Sequence, residues 1–119
     1  MEIKQIAERL IEYCNKGQWD AAQKELYAED AVSIEPHAME GYEKETRGLK
    51  AMYEKGIKFN NSVETMHNLT MSKPLIADNA FALTMYMDAS FKGQGRMAFT
   101  ELCVYQVKDG KIISEQFFI

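Results

Sequence analysis

Ala80-Phe-Ala-Leu-Thr-Met-Tyr-Met-Asp-Ala-Ser-Phe91, Met97-Ala-Phe-Thr-Glu-Leu-Cys-Val-Tyr-Gln-Val-Lys108 and Lys111-Ile-Ile-Ser-Glu-Gln-Phe-Phe-Ile119 follow one another at the end of the chain. Each run is rich in β-branched and aromatic residues, the side chains that suit a pleated surface. Only Lys92-Gly-Gln-Gly95 and Asp109-Gly110 divide them, and both are hairpin signals. The reading is a three-stranded antiparallel meander at the end of a chain whose first 60 residues read mainly as helix. Helices first and sheet last predicts an α+β layer architecture.

Upstream, Ile3, Ile6, Ala7, Leu10, Ile11 and Cys14 recur at helical spacing, with Glu8, Arg9 and Glu12 opposite and Gly17 as the stop. A second helix starts near Trp19-Asp20 and buries Ala22, Leu26 and Tyr27. Ala31 to Glu35 reads as a short strand halted by Pro36. Gly41 to Lys58 reads as a third helix with Leu49, Met52 and Tyr53 inward, and Ser62 to Ser72 alternates as a strand. The expected order is ααβαββββ: a cone-shaped, curved antiparallel sheet wrapped around the N-terminal helices, as one domain over 1–119. Space inside such a cone commonly holds a pocket.

With 119 residues, 46% hydrophobic and 27% charged, the chain has the composition of an ordinary globule. A formal net charge of −4 leaves no basic stripe to neutralise phosphates, so no nucleic-acid partner is expected. No apolar run approaches the roughly 20 residues of a membrane span, and the charged N-terminus does not read as a signal peptide. Cys14 and Cys103 lack metal-ligand spacing, and reduced thiols in a cytoplasmic protein are the expectation. His37, His67 and Glu35 lack it too, so neither a metal nor a cofactor is expected.

The two-residue period of a strand sorts side chains by face. Phe81, Leu83, Met85 and Met87 form the concave set, and Thr84, Tyr86, Asp88 and Ser90 the convex one. Val63, Thr65, His67, Leu69 and Met71 share a parity, which puts His67 on the apolar face. If Met97, Phe99 and Tyr105 point inward, Glu101 and Cys103 do too; parity leaves the direction of Glu115 open.

Gly17-Gln-Trp-Asp20, Leu26-Tyr-Ala-Glu-Asp-Ala-Val-Ser-Ile-Glu-Pro36, Gly41-Tyr-Glu43 and Val107-Lys-Asp-Gly-Lys-Ile-Ile-Ser-Glu115 carry a resemblance. Over essentially its whole length the chain resembles the nuclear transport factor 2-like superfamily, especially its SnoaL-like and ketosteroid-isomerase-like members. The resemblance implies the cone fold. It implies less about activity, since isomerases, cyclases, dehydratases, epoxide hydrolases and binding modules share that fold. In ketosteroid isomerases an Asp before the Pro that follows the first strand is the general base; here Glu35 precedes Pro36. The isomerase oxyanion donors, a Tyr on the first helix and a protonated Asp on the penultimate strand, map to Leu10 and approximately Cys103, so neither is retained. The Asp-Arg-Asp arrangement of limonene epoxide hydrolases has no match either.

The candidate catalytic residues are therefore Glu35 as base, with His67 and Glu101 as donors or partners, each weighed against a solvated strand end, a hydrogen-bonded core histidine and a rim carboxylate. Ligand-lining candidates are Tyr13, Tyr53, Leu83, Met85, Met87, Cys103, Glu115 and Phe117. His37 is placed in a loop at the pocket mouth. Met39, Met52, Met66, Met71, Met85, Met87 and Met97 read as core fillers or as the walls of a deformable pocket. Trp19 reads as a plug between the first two helices. The expected function is binding of a small, mostly apolar molecule in the cone, with proton-transfer chemistry of the isomerase, cyclase or dehydratase type. The alternative is a non-catalytic ligand-binding or interaction module with a filled pocket. A homodimer through the convex face is expected. Because the chain stops right after its last strand, so is an open mouth, or one closed by a second subunit.

Overall fold

A computed structural model describes residues 1–37 and 41–119. Helix α1 spans Ile3–Asn15 and buries Ile6, Ala7, Leu10 and Cys14, the stripe set by its apolar spacing. Gly17 ends it at φ +69°. The Gln18 N–H reaches the Tyr13 carbonyl at 2.9 Å and the Gly17 N–H that of Cys14 at 3.0 Å, a Schellman closure that needs a left-handed residue. Helix α2, Trp19–Leu26, buries Ala22 and Leu26. The half-buried Trp19 packs against the core, and its Nε1 donates to Asn60 Oδ1 at 3.3 Å, which ties α2 to the third helix.

Strand β1 begins at Tyr27, four residues earlier than expected, and runs to Ile34. Its register against the last strand shifts between Tyr27 and Val32, so both ends keep inward side chains. The expected helix from Gly41 is displaced. Glu45–Arg47 instead forms β2, antiparallel to β1, and α3 covers Leu49–Ser62. Gly48 makes the change of direction at φ +92°, a backbone state that disfavours any side chain.

Strands β3 (Val63–Met71), β4 (Leu75–Ile76), β5 (Ala80–Phe91), β6 (Gly95–Lys108) and β7 (Lys111–Phe118) complete the molecule. The sheet order is β2-β1-β7-β6-β5-β3, with β4 also on β5. The β5–β6–β7 meander is present, and Asp109 and Gly110 both take positive φ in its tight turn, as a primed hairpin turn requires. The sheet is mixed rather than wholly antiparallel, because β1 lies parallel to β7.

The curved sheet and the helices enclose one core, where Ile6, Leu10, Leu26, Met52, Phe81, Leu83, Met87, Cys103 and Ile112 are buried. The Tyr105 ring stacks on Phe81 with centroids 4.8 Å apart. On the convex side Leu102 and Phe118 face each other across β6 and β7 and are 42% and 45% exposed. Among the described residues, no helix is long and apolar enough to cross a membrane.

Candidate functional site

Strand parity carries Phe99, Glu101, Cys103 and Tyr105 along the concave face of β6. Cys103 and Tyr105 are buried, while Phe99 and Glu101 are half-buried. Tyr105 opposes Glu115 on β7, and Glu115 opposes Ser33 on β1. Glu35 follows two residues after Ser33, on the same parity. The sheet's curvature thus gathers three carboxyl side chains, Glu101 from β6, Glu115 from β7 and Glu35 from the residue directly after β1.

Helix α3 adds a cation. Its inward stripe is Leu49, Met52, Lys55 and Phe59, at steps of three and four, and Lys55 replaces the apolar residue that this pattern leads one to expect. The Lys55 Nζ donates to Glu35 Oε1 at 2.9 Å and to Ser33 Oγ at 2.8 Å. The Ser33 hydroxyl in turn donates to Glu115 Oε2 at 2.7 Å, and the Tyr27 hydroxyl bonds Glu115 Oε1. One connected network therefore runs from Tyr27, deep in the core, through Glu115, Ser33 and Lys55 to Glu35.

Burial shifts the members of this network. The buried Glu115 carboxyl is pushed up by loss of solvation, against the pull of the Tyr27 and Ser33 hydroxyls and the Lys55 charge. Burial also pushes up the Tyr27 phenol, with the Glu115 charge adding to it. Glu101 is pushed up to about 7, first by burial, then by the charges of Glu35 and Glu115, with Lys55 opposing. Among the described residues no cation hydrogen-bonds Glu101, and the Cys103 thiol donates to it weakly at 4.0 Å. Cys103 is a closed, inert thiol, since burial and the Glu101 charge both push it up.

The other expected site residues divide. Leu83, Met85 and Met87 are buried on the concave face beside this group, and Phe117, opposite Cys103, packs on the core's edge. Tyr13 does not join them. It packs at the core's edge, and its hydroxyl accepts from Arg9 at 3.0 Å, within an Arg9–Glu25 surface pair. Tyr53 is 49% exposed, because it sits about 100° around α3 from Met52.

The inward placing of His67 is overturned. Register shifts in β3 between Val63 and Thr65, and between Met66 and Asn68, reverse the parity of the intervening residues. The exposed His67 bonds Ser90 Oγ at 2.7 Å on the convex side, near the Asp88–Arg96 pair, and does not meet Glu35. His37 is exposed, and Met39 lies outside the described residues. Met52, Met85 and Met87 fill the core, whereas Met66 and Met97 are exposed.

A groove of about 450 Å³ lies between residues 41–47 and α3. Tyr42, Thr46, Arg47, Lys55 and Lys58 line it with the acidic Glu43, Glu45 and Glu54. Sequence reasoning passed over Lys55, Ser33 and Tyr27. The signal for Lys55 was the interrupted stripe on α3, and for Ser33 its shared parity with Glu35.

The SnoaL-like domain model matches residues 1–119. The chain belongs to the SnoaL-like family. A SnoaL-like polyketide cyclase candidate from Mesorhizobium loti, also labelled a carbohydrate phosphatase, is 31% identical, with 100% of both chains covered and a TM-score of 0.90. A Xanthomonas campestris protein of cystatin-like fold is 17% identical over 99% of this chain and 90% of its own, with a TM-score of 0.85. A ketosteroid-isomerase-like fold from Catenulispora acidiphila, solved with trimethylamine, is 14% identical over 100% and 87%, with a TM-score of 0.75. The last two likenesses show shared architecture alone. No functionally curated protein matches the chain. This SnoaL-like chain thus has the family's cone, with a three-carboxyl, one-lysine cluster on its concave face.

Proposed function

We propose that this SnoaL-like protein binds a small, mostly apolar carbonyl compound at the polar end of its concave face and moves a proton on it, as isomerases, cyclases and dehydratases do. The observation that carries the reading is Glu101: a half-buried carboxyl, held near pH 7, with no cation bonded to it among the described residues. A group poised there can give a proton to a carbonyl oxygen in one form and take one from the adjacent carbon in the other. Glu35, where the resemblance puts the general base, is the second carboxylate of the site, and Leu83, Met85 and Met87 supply apolar walls. Three carboxyl groups against one lysine disfavour an anionic ligand.

The second reading is a binding or interaction module. Phe81, Met85 and Met87 fill much of the concave interior, which favours it. The convex face favours it too: Leu102 and Phe118 are exposed beside Val104 and Ile34, and this uncharged patch lets a chain of net charge −4 meet its own copy. A homodimer through that face is compatible with either reading.

Hydrogen–deuterium exchange at the α-carbon of 2-tetralone, followed by proton NMR in D2O, tests the first reading. Wild type should exchange faster than buffer, and Glu101→Gln should fall back toward the buffer rate. Equal rates for both proteins, together with no small molecule retained in native mass spectrometry, would leave the interaction-module reading standing.

A further inference from the structure

We propose that the Lys55 ammonium is a catalytic residue that holds the ligand's carbonyl oxygen and stabilises the negative charge developing there. This rests on the proton-transfer reading above and supplies what that reading lacks. By the resemblance to ketosteroid isomerases, the positions of their hydrogen-bond donors fall on Leu10 and approximately on Cys103, and neither side chain can do that work. Abstraction of a proton beside a carbonyl places charge on oxygen, and without a donor aimed at that oxygen the step is slow.

Lys55 has the capacity. An ammonium has three N–H donors. Two are engaged among the described residues, one by Glu35 Oε1 at 2.9 Å and one by Ser33 Oγ at 2.8 Å. Tetrahedral geometry aims the third away from both acceptors. The side chain is not sealed, since 19% of it remains exposed.

It is also held still. Ser33 is itself fixed by its bond to the buried Glu115, so the lysine head is anchored to β1 and, through Glu115, to β7. A flexible four-carbon stem needs such anchoring before its charge can be pre-positioned rather than reorganised during reaction.

The carboxyl groups on its inner side are Glu35 on the segment after β1, Glu101 on β6 and Glu115 on β7, and Glu43, Glu45, Arg47, Glu54 and Lys58 share the groove that it lines. Glu101 is not hydrogen-bonded to Lys55, so acid–base group and oxygen-binding group remain separate. The step balances simply. The α C–H bond breaks and its proton goes to the Glu101 carboxylate. The electron pair forms a carbon–carbon double bond, and the carbonyl oxygen becomes an enolate oxygen that accepts the third Lys55 N–H. Lys55 keeps all its protons, and Glu101 returns the proton to carbon to complete exchange or isomerisation.

The test is the 2-tetralone exchange assay on wild type, Glu101→Gln, Lys55→Met, Lys55→Gln and Lys55→Arg, each checked for folding by circular dichroism. Lys55→Met and Lys55→Gln should lower kcat by about 100-fold with a smaller change in KM, and Lys55→Arg should recover part of it, because the lost contact strengthens as charge develops. Should Lys55→Met fail to fold, Lys55→Gln and Lys55→Arg decide the matter. Exchange that depends on Glu101 but persists at the wild-type rate without the lysine charge overturns the role of Lys55 and leaves the proton-transfer reading intact. Absence of Glu101-dependent exchange in wild type overturns both.

Discussion

At the residue scale, the cluster makes stability depend on pH in a defined direction. Glu101 is pushed from the ordinary 4.5 up to about 7, and Glu115 is pushed up as well. A carboxyl whose folded value is raised binds protons more readily in the folded state, so stability falls as pH rises from about 4.5 through about 7. Glu25 and Asp88 act oppositely. Arg9 and Arg96 hold them below their ordinary values, so their contribution is lost as pH falls through the acid range. Urea unfolding should therefore show a maximum at mildly acidic pH and weaker stability at pH 8. The Glu101 part is no more than about 3 kcal/mol, less for its partial exposure. Glu101→Gln should flatten the slope between pH 5 and 8; an unchanged slope would locate it elsewhere. His67→Ala should change stability by only about 0.5 kcal/mol and leave tetralone exchange intact, since His67 sits on the convex side. Loss of exchange in that variant would contradict the geometry.

At the element scale, β5 was the most legible strand. Phe81, Leu83, Met85 and Met87 alternate with Ala82, Tyr86 and Asp88 without a bulge against β6, so parity placed every side chain. Leu83, 2% exposed, is a fair probe of that core. Leu83→Ala should cost about 3 kcal/mol in chemical denaturation, and a cost under 1 kcal/mol would mean the core collapses around the gap. Strand β3 misled for a definable reason. Its apolar residues Val63, Leu69 and Met71 do share a parity, but two register shifts lie between them, and His67 falls inside. A bulge leaves little trace in the pattern of side chains, because it acts on the ladder of backbone hydrogen bonds. The third helix misled at its start. Its reading from Gly41 rested on Leu49, Met52 and Tyr53, yet Glu45–Arg47 pairs with β1, and Gly48 then turns the chain into α3.

At the scale of the whole molecule, one face of the sheet is committed to the helices and the core, and the other presents Leu102, Val104, Phe118 and Ile34. If that face is where two copies meet, Leu102→Glu should convert a dimer to a monomer in sedimentation velocity without moving the unfolding midpoint of the monomer. A wild-type chain that already sediments as a monomer would remove the proposed interface. Dimer loss should leave Glu101-dependent exchange in place, because the carboxyl cluster faces the opposite side of the sheet.

Sequence alone determined the class of fold, the meander and its turns, and the concave set on β5, while it gave Glu101 and Cys103 only a shared parity whose direction stayed conditional. Those follow from local rules, since apolar period, turn chemistry and glycine placement act over a few residues. Tertiary structure decided the rest. Glu115 was left open by parity, and only its pairing with Ser33 on a parallel neighbour 82 positions away shows it buried and bonded. Lys55 became part of the site because α3 packs its inward stripe against β1, a relation between elements that no periodicity encodes. His67 left the site because hydrogen bonds along β3 slip. Charge pairing and strand register are properties of what meets across the fold, and the order of residues along one chain does not specify them by itself.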